Sequence, residues 1–373
     1  SFENFAECPL RYYLRYGVDL KEREEFTFSP VNFGVVLHAV IREVCDEIKK
    51  NGESYYLISE EKRREMVKRS VAAITDIYQN SILKDSSRNS FMIKRMEDLA
   101  DRTVWAMGEQ LKCGDFVPFV FEHKFNMEVG DGDRKQLMSG TIDRVDICEN
   151  GTDVYVRIID YKTGKKDFNI VKTYYGIDIQ LMVYMEAAMK LVAKMRPGKN
   201  VIPAGVFYYN ISDPIVSATT ESAEEIEDKI KGELRLKGMV NSDKDIAEKM
   251  DNTEGTSLNI PVSRKADGGF DSRRSKVMNT EQFNILGRFV DVRAIDTADR
   301  IAGGDIRRSP YKDGQFSSCD RCPYGAVCGF SVDLPGCNYR KLKKFDDEVL
   351  WNNIKEGVDE NGKKMDTGAE ERD

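Results

Sequence analysis

Three strand-like stretches follow one another in the middle of this chain: FVPFVFEHKFNMEV from residue 116, KQLMSGTIDRVDIC from 135 and DVYVRIIDYKTG from 153. The turn sequences GDGDR and ENGT join them, so an antiparallel meander is expected. A strongly apolar helical pattern, DIQLMVYMEAAMKLVAKM, and a further strand, IPAGVFYYNI, come next. With helical sequence before the meander, this order implies an α/β class core, a mixed sheet flanked by helices.

The first third is read as helical. A short helix opens the chain, and SPVNFGVVLHAVIREVCDEIKKNG carries Ser29 as N-cap, Pro30 in the first turn and Gly52 as stop. Further helical patterns cover 59–82, 87–111 and 280–302, while 213–275 is more polar and is read as a mobile excursion or small subdomain. At 373 residues and 40% hydrophobic content the chain can bury a substantial core in one or two domains. The formal charge of −7 is concentrated in residues 345–373, where ten acidic side chains face four basic ones and disorder is expected. The preceding sequence is close to neutral, so net charge does not exclude a nucleic-acid partner. There is no phosphate-loop signature for an ATP motor, and no signal-peptide pattern or membrane-length apolar run. The expectation is a soluble, intracellular protein with no membrane partner. Because it opens on Ser1 in patterned sequence, it is also expected to be a piece of a longer polypeptide.

Side chains alternate along a strand, so Val154, Val156, Ile158, Asp160 and Lys162 share one face of the third strand. An apolar face that ends in charge needs a reason. Taken alone, Asp160 and Lys162 are a surface ion pair. Across the ENGT turn, however, strand pairing can bring Asp143 beside Asp160, and two neighbouring carboxylates call for a proton or a hard cation such as Mg²⁺ or Mn²⁺. An adjacent lysine could then stabilise negative charge on a phosphate. Glu122, in FVFEHKF, is read as part of a solvated strand face and left out of the site, and His123 is read as exposed.

The ordered series Gly34-x-x-x-His38, GTIDRVD, IIDYKTG and QLMVY resembles the RecB-type nucleases of the PD-(D/E)XK superfamily. The resemblance implies a restriction-endonuclease-like core in which His38, Asp143, Asp160 and the carbonyl of Tyr161 hold the divalent ion. It makes Lys162 the catalytic lysine and Gln180 with Tyr184 the family's Q-x-x-x-Y element. Ile142 stands where the superfamily name has proline.

Cys319, Cys322 and Cys328 form C-x2-C-x5-C, a metal site one ligand short, and Cys8 is the natural fourth ligand, with Cys337 as second choice. Cys45, Cys113 and Cys148 are read as small core residues. Spacing admits either zinc or an iron–sulfur cluster. The quartet resembles that of AddB-type subunits of bacterial helicase-nucleases, which implies a [4Fe-4S] cluster stapling residues 1–344 into one nuclease domain. By the same resemblance the chain is expected to be a cytoplasmic, Mg²⁺-dependent deoxyribonuclease, an exonuclease. It would cut single-stranded DNA from an unwound duplex end in double-strand break repair, beside an AddA-like helicase-nuclease partner. The alternatives are a noncatalytic iron–sulfur DNA-binding scaffold or a stand-alone CRISPR-associated exonuclease.

Overall fold

The computed structural model describes residues 1–21, 30–77, 87–129, 136–217 and 221–370. Ser29 as N-cap, the GDGDR turn and the last three residues lie outside that set.

Short helices α1 (Phe2–Glu7) and α2 (Pro9–Tyr12) and a π-helical turn, Tyr13–Gly17, open the chain. Helices α3 (Pro30–Lys50), α4 (Glu60–Ile77) and α5 (Ser87–Lys112) follow the sequence pattern over the described residues, and the expected 78–82 end of the second lies outside them. Next come β1 (Val117–Val129), β2 (Gln136–Asn150), β3 (Asp153–Lys162), α6 (Ile170–Tyr174), α7 (Gln180–Met195) and β4 (Asn200–Asn210). The later part holds α8 (Ala223–Glu233), β5 (Lys237–Asn241), α9 (Lys244–Met250), β6 (Val277–Met278) and α10 (Thr280–Ala302). It closes with β7 (Tyr311–Asp313), β8 (Phe316–Ser317), α11 (Gly325–Cys328), β9 (Arg340–Lys341) and α12 (Asp347–Glu370).

The main sheet runs β1-β2-β3-β4-β5-β6. The first three strands are the expected antiparallel meander, and β4 returns parallel to β3 after the α7 crossover. Both faces are covered. Tyr155, Ile159 and Tyr161 of β3 join the core of the α3–α5 layer. Val154, Val156 and Ile158 join the core of α7, α10 and the start of α12. Burial on both sides explains why β3 reads as a nearly continuous apolar run. Two charged residues are nonetheless buried in it: Asp160, 2% exposed, and Arg157, 1% exposed, which answers Asp146 of β2.

Two stretches differ from their sequence reading. The polar 213–275 region adds β5 to the edge of β4 and buries Leu236, Val240, Ile246, Ile260 and Val262 in the main core. The acidic stretch expected to be disordered contains α12, whose Leu350 and Ile354 pack into the α7/α10 core. Trp351 and Val358 of the same helix pack against that core while partly buried, so an apolar stripe at helical spacing docks an otherwise charged helix.

Candidate active site

The site forms at the C-terminal end of β3, where α3 and the first turn of α7 converge. The register Arg144↔Ile159 places Asp143 beside Asp160 across the β2–β3 pair. Both carboxylates are buried, at 7% and 2% exposure. Asp143 is held from the main chain: its Oδ2 accepts the Tyr161 N–H at 2.7 Å. Burial, together with the neighbouring charge of Asp143, pushes Asp160 up to about 6, and Lys162 partly offsets this.

Lys162 forms an ion pair with Asp160, and its Nζ donates to Gln180 Oε1 at 3.1 Å. Gln180 Nε2 in turn donates to the Tyr184 hydroxyl at 2.8 Å, so the two residues act as one relay along the first turn of α7. Tyr184 packs edge-on against Phe125, with ring centroids 5.7 Å apart. Gly140 makes room for this contact. A Cβ there would lie 2.9 Å from Phe125, forcing that ring to shift, and 3.2 Å from Tyr184, which would have to give by a few tenths of an ångström.

On the other side, His38 of α3 points Nδ1 at Asp143 Oδ2, 3.5 Å away, and at Glu122 Oε1, 3.6 Å away. Burial opposes a charged imidazole here, but hydrogen bonds and charge from Asp143 and Glu122 outweigh it and raise the pKa to about 10. The pocket thus favours positive charge. Among the described residues, His38, Glu122 and Asp143 are the group whose donor atoms lie within 4.8 Å of one another, a set of nitrogen and oxygen ligands suited to a hard divalent ion. Asp160 adjoins this trio through Asp143. The Tyr161 ring is buried and meets the His38 ring edge-on at 5.9 Å, so only its main chain faces the carboxylates.

The sequence reading missed Glu122. It stands between Phe121↔Arg144 and His123↔Ile142 in the β1–β2 pairing, hence across from Asp143. Its φ of +46° is rare for a side-chain-bearing residue in a strand and turns it out of the regular alternation. His123 is half-buried, not exposed.

Behind the site, Asp146 accepts two bonds of 2.7 Å from Arg144 and one of 2.9 Å from Arg157, with all three side chains at most 1% exposed. Arg144 and Asp146 both lie on β2, so the group ties β2 to β3 at the one directly opposed pair Asp146↔Arg157. It fixes the register that juxtaposes Asp143 and Asp160.

Cys8, Cys319, Cys322 and Cys328 line one small cavity with Leu10, Leu14, Pro310 and Phe330. Burial and then the neighbouring thiols, Cys8 among them, raise the pKa of Cys319. Cys337 is buried and is not in the cavity wall. Four thiols around one cavity are a donor set that fits a thiolate-bound metal group, zinc and iron–sulfur alike.

A family model described as the PD-(D/E)XK nuclease superfamily matches residues 1–329. Among curated proteins, the chain is similar to the B-type polypeptide of the ATP-dependent helicase/deoxyribonuclease of Caldanaerobacter subterraneus subsp. tengcongensis, 35% identical over 382 residues and all of this chain. It is likewise similar to the proteins of the same name from Thermoanaerobacter sp. (strain X514), 33% identical over 98% of the chain, and Clostridium acetobutylicum, 34% over 96%. In each case the match covers 32% of the relative, so the chain spans about a third of the length of these curated relatives.

Proposed function

This chain belongs to the PD-(D/E)XK nuclease superfamily, and from that premise we propose that it is the nuclease domain of an AddB-type helicase-nuclease subunit. It hydrolyses phosphodiester bonds in DNA single strands that an AddA-like partner exposes at duplex ends, as an exonuclease of double-strand break repair in the bacterial cytoplasm. The observation that carries this reading is the convergence of Asp143, Asp160, Lys162 and His38 on one end of β3, with Gln180 bonded to the lysine.

His38, Asp143 and Asp160, with Glu122 and the Tyr161 carbonyl, are the residues that would hold Mg²⁺ or Mn²⁺. When bound, such an ion supplies a Lewis acid for the phosphate and lowers the pKa of an attacking water. The protein's own part is electrostatic and positional. Lys162, steadied by Asp160 and Gln180, presents an ammonium where negative charge grows on the phosphate oxygens. The lysine ammonium can only donate, so Gln180 turns its oxygen to Lys162 and its nitrogen to the Tyr184 hydroxyl.

Cys8, Cys319, Cys322 and Cys328 would hold a [4Fe-4S] cluster as a staple. It closes a loop of about three hundred residues, which removes freedom from the unfolded chain. The cavity that the four thiols share supports this assignment.

The mechanism is tested by Mg²⁺-dependent cleavage of single-stranded DNA with the full-length polypeptide, wild type against Asp160→Ala and Lys162→Ala. Loss in both variants is expected, and equal activity in all three overturns the reading.

A further inference from the structure

Helix α7 begins at Gln180 without a side-chain cap of its own: Ile179 occupies the N-cap position and offers none. The cap comes from far away in sequence. Oε1 of Glu3 accepts the N–H groups of Ile179 at 2.9 Å and of Gln180 at 3.0 Å. Burial raises the Glu3 pKa, with Lys166 and the two main-chain bonds pulling against it and Asp178 adding to it. Lys166 is itself paired with Asp178 at 3.0 Å, immediately before the helix. Glu3, Phe2, Tyr12, Phe125, Gln180 and Tyr184 border one groove of about 390 Å³.

Glu3 is anchored at the other end of its own helix. α1 runs directly into Cys8 and α2, and its last carbonyls are taken by the segment that carries the other cysteines. Ser318 Oγ donates to the Glu7 carbonyl at 3.2 Å, and Arg340 donates to the carbonyls of Ala6 and Glu7. The Leu10 N–H donates to the Arg307 carbonyl at 3.2 Å. α1 is therefore a strut with the cysteine cavity at one end and the first turn of α7 at the other.

We propose that Glu3 is a positioning residue for the nuclease centre: by capping α7 it sets the place of Gln180, and through Gln180 the direction of the Lys162 ammonium. This inference rests on the nuclease reading above. Two bonds from one buried carboxyl oxygen to the start of the helix fix the rotation and height of that end. Lys162 is held to its own strand by Asp160 and to that turn by one 3.1 Å bond, so a shift of the turn swings the ammonium about its Asp160 anchor.

The test uses the full-length polypeptide as wild type, Glu3→Ala, Glu3→Gln, Gln180→Ala and the Glu3→Ala/Gln180→Ala double variant. Amide hydrogen exchange in the peptide spanning residues 176–182 is expected to rise about tenfold or more in Glu3→Ala, with the rest of the chain unchanged and Glu3→Gln restoring most of the protection. Single-strand cleavage by Glu3→Ala falls roughly 10- to 100-fold in kcat, with KM little moved. In the Gln180→Ala background the same change costs less than about twofold, because the path is already cut. Unchanged local exchange, a uniform rise across the whole chain, or equal fold-loss in both backgrounds overturns the inference. A wild type that cleaves nothing removes the nuclease reading instead, and the exchange arm still decides whether Glu3 holds α7.

Discussion

The main-chain N–H of Tyr161 donates to Asp143 Oδ2 at 2.7 Å, so the carboxylate of β2 is clamped by the strand that carries Asp160. Asp143→Asn keeps an acceptor for that bond and removes only the negative charge. Cleavage is expected to fall at least about 10²-fold, as for loss of a group that orders a metal site. The melting temperature without divalent ion holds or rises, because buried Asp160 loses a like-charged neighbour. Activity and thermal melts on one preparation check both arms, and a large drop in melting temperature contradicts the argument.

Glu122 should prove part of the site despite lying in a strand that reads as solvated. Glu122→Gln is expected to weaken Mn²⁺ binding by about 10- to 100-fold and to leave cleavage recoverable at higher ion concentration. Calorimetric titration with Mn²⁺ reads the first effect, and a rate curve against ion concentration the second. An unshifted titration removes Glu122 from the ligand set.

The buried Arg144–Asp146–Arg157 group makes stability depend on acid. Burial alone would raise the Asp146 pKa, but Arg144 and Arg157 outweigh it and hold the group below the usual carboxylate range. A depressed folded pKa stabilises above the unfolded value of about 3.9, and the contribution disappears as pH falls through the folded value. At pH 7, Asp146→Ala should cost about 3–5 kcal/mol, since it strands two buried guanidinium groups. The gap to wild type should narrow below about pH 4. Urea unfolding at pH 7 and in steps down to pH 3 measures it.

The cysteine cavity makes a compositional prediction. Full-length polypeptide purified without oxygen should be brown and carry about four iron atoms per chain. Chelation of that iron should lower the melting temperature, because a long loop is then no longer closed. One equivalent of zinc with no iron would replace the cluster assignment with a zinc staple.

Much of this was legible in the linear order of residues. The meander, the existence of a further strand after α7 and the helical first third follow from hydrophobic period and turn chemistry, which are local properties. His38, Asp143, Asp160, Lys162, Gln180 and Tyr184 each sit in a short pattern that sequence carries whole, and the structure places all six around one end of β3. α12 escaped because net charge hides a short docking stripe, Leu350 and Ile354 with Trp351 and Val358 beside them.

What the sequence by itself determined is which residue types sit on which face of each element, because alternation and helical repeat are set by backbone geometry within a few residues. Only the tertiary structure decided the long-range pairings. Glu122 reached Asp143 through the β1–β2 register and its own left-handed backbone, and Glu3 reached α7 across some 176 residues. Neither contact leaves a local trace, since a carboxylate in a strand or a short helix has the same propensity whether it faces water, a cation site or the bare end of another helix.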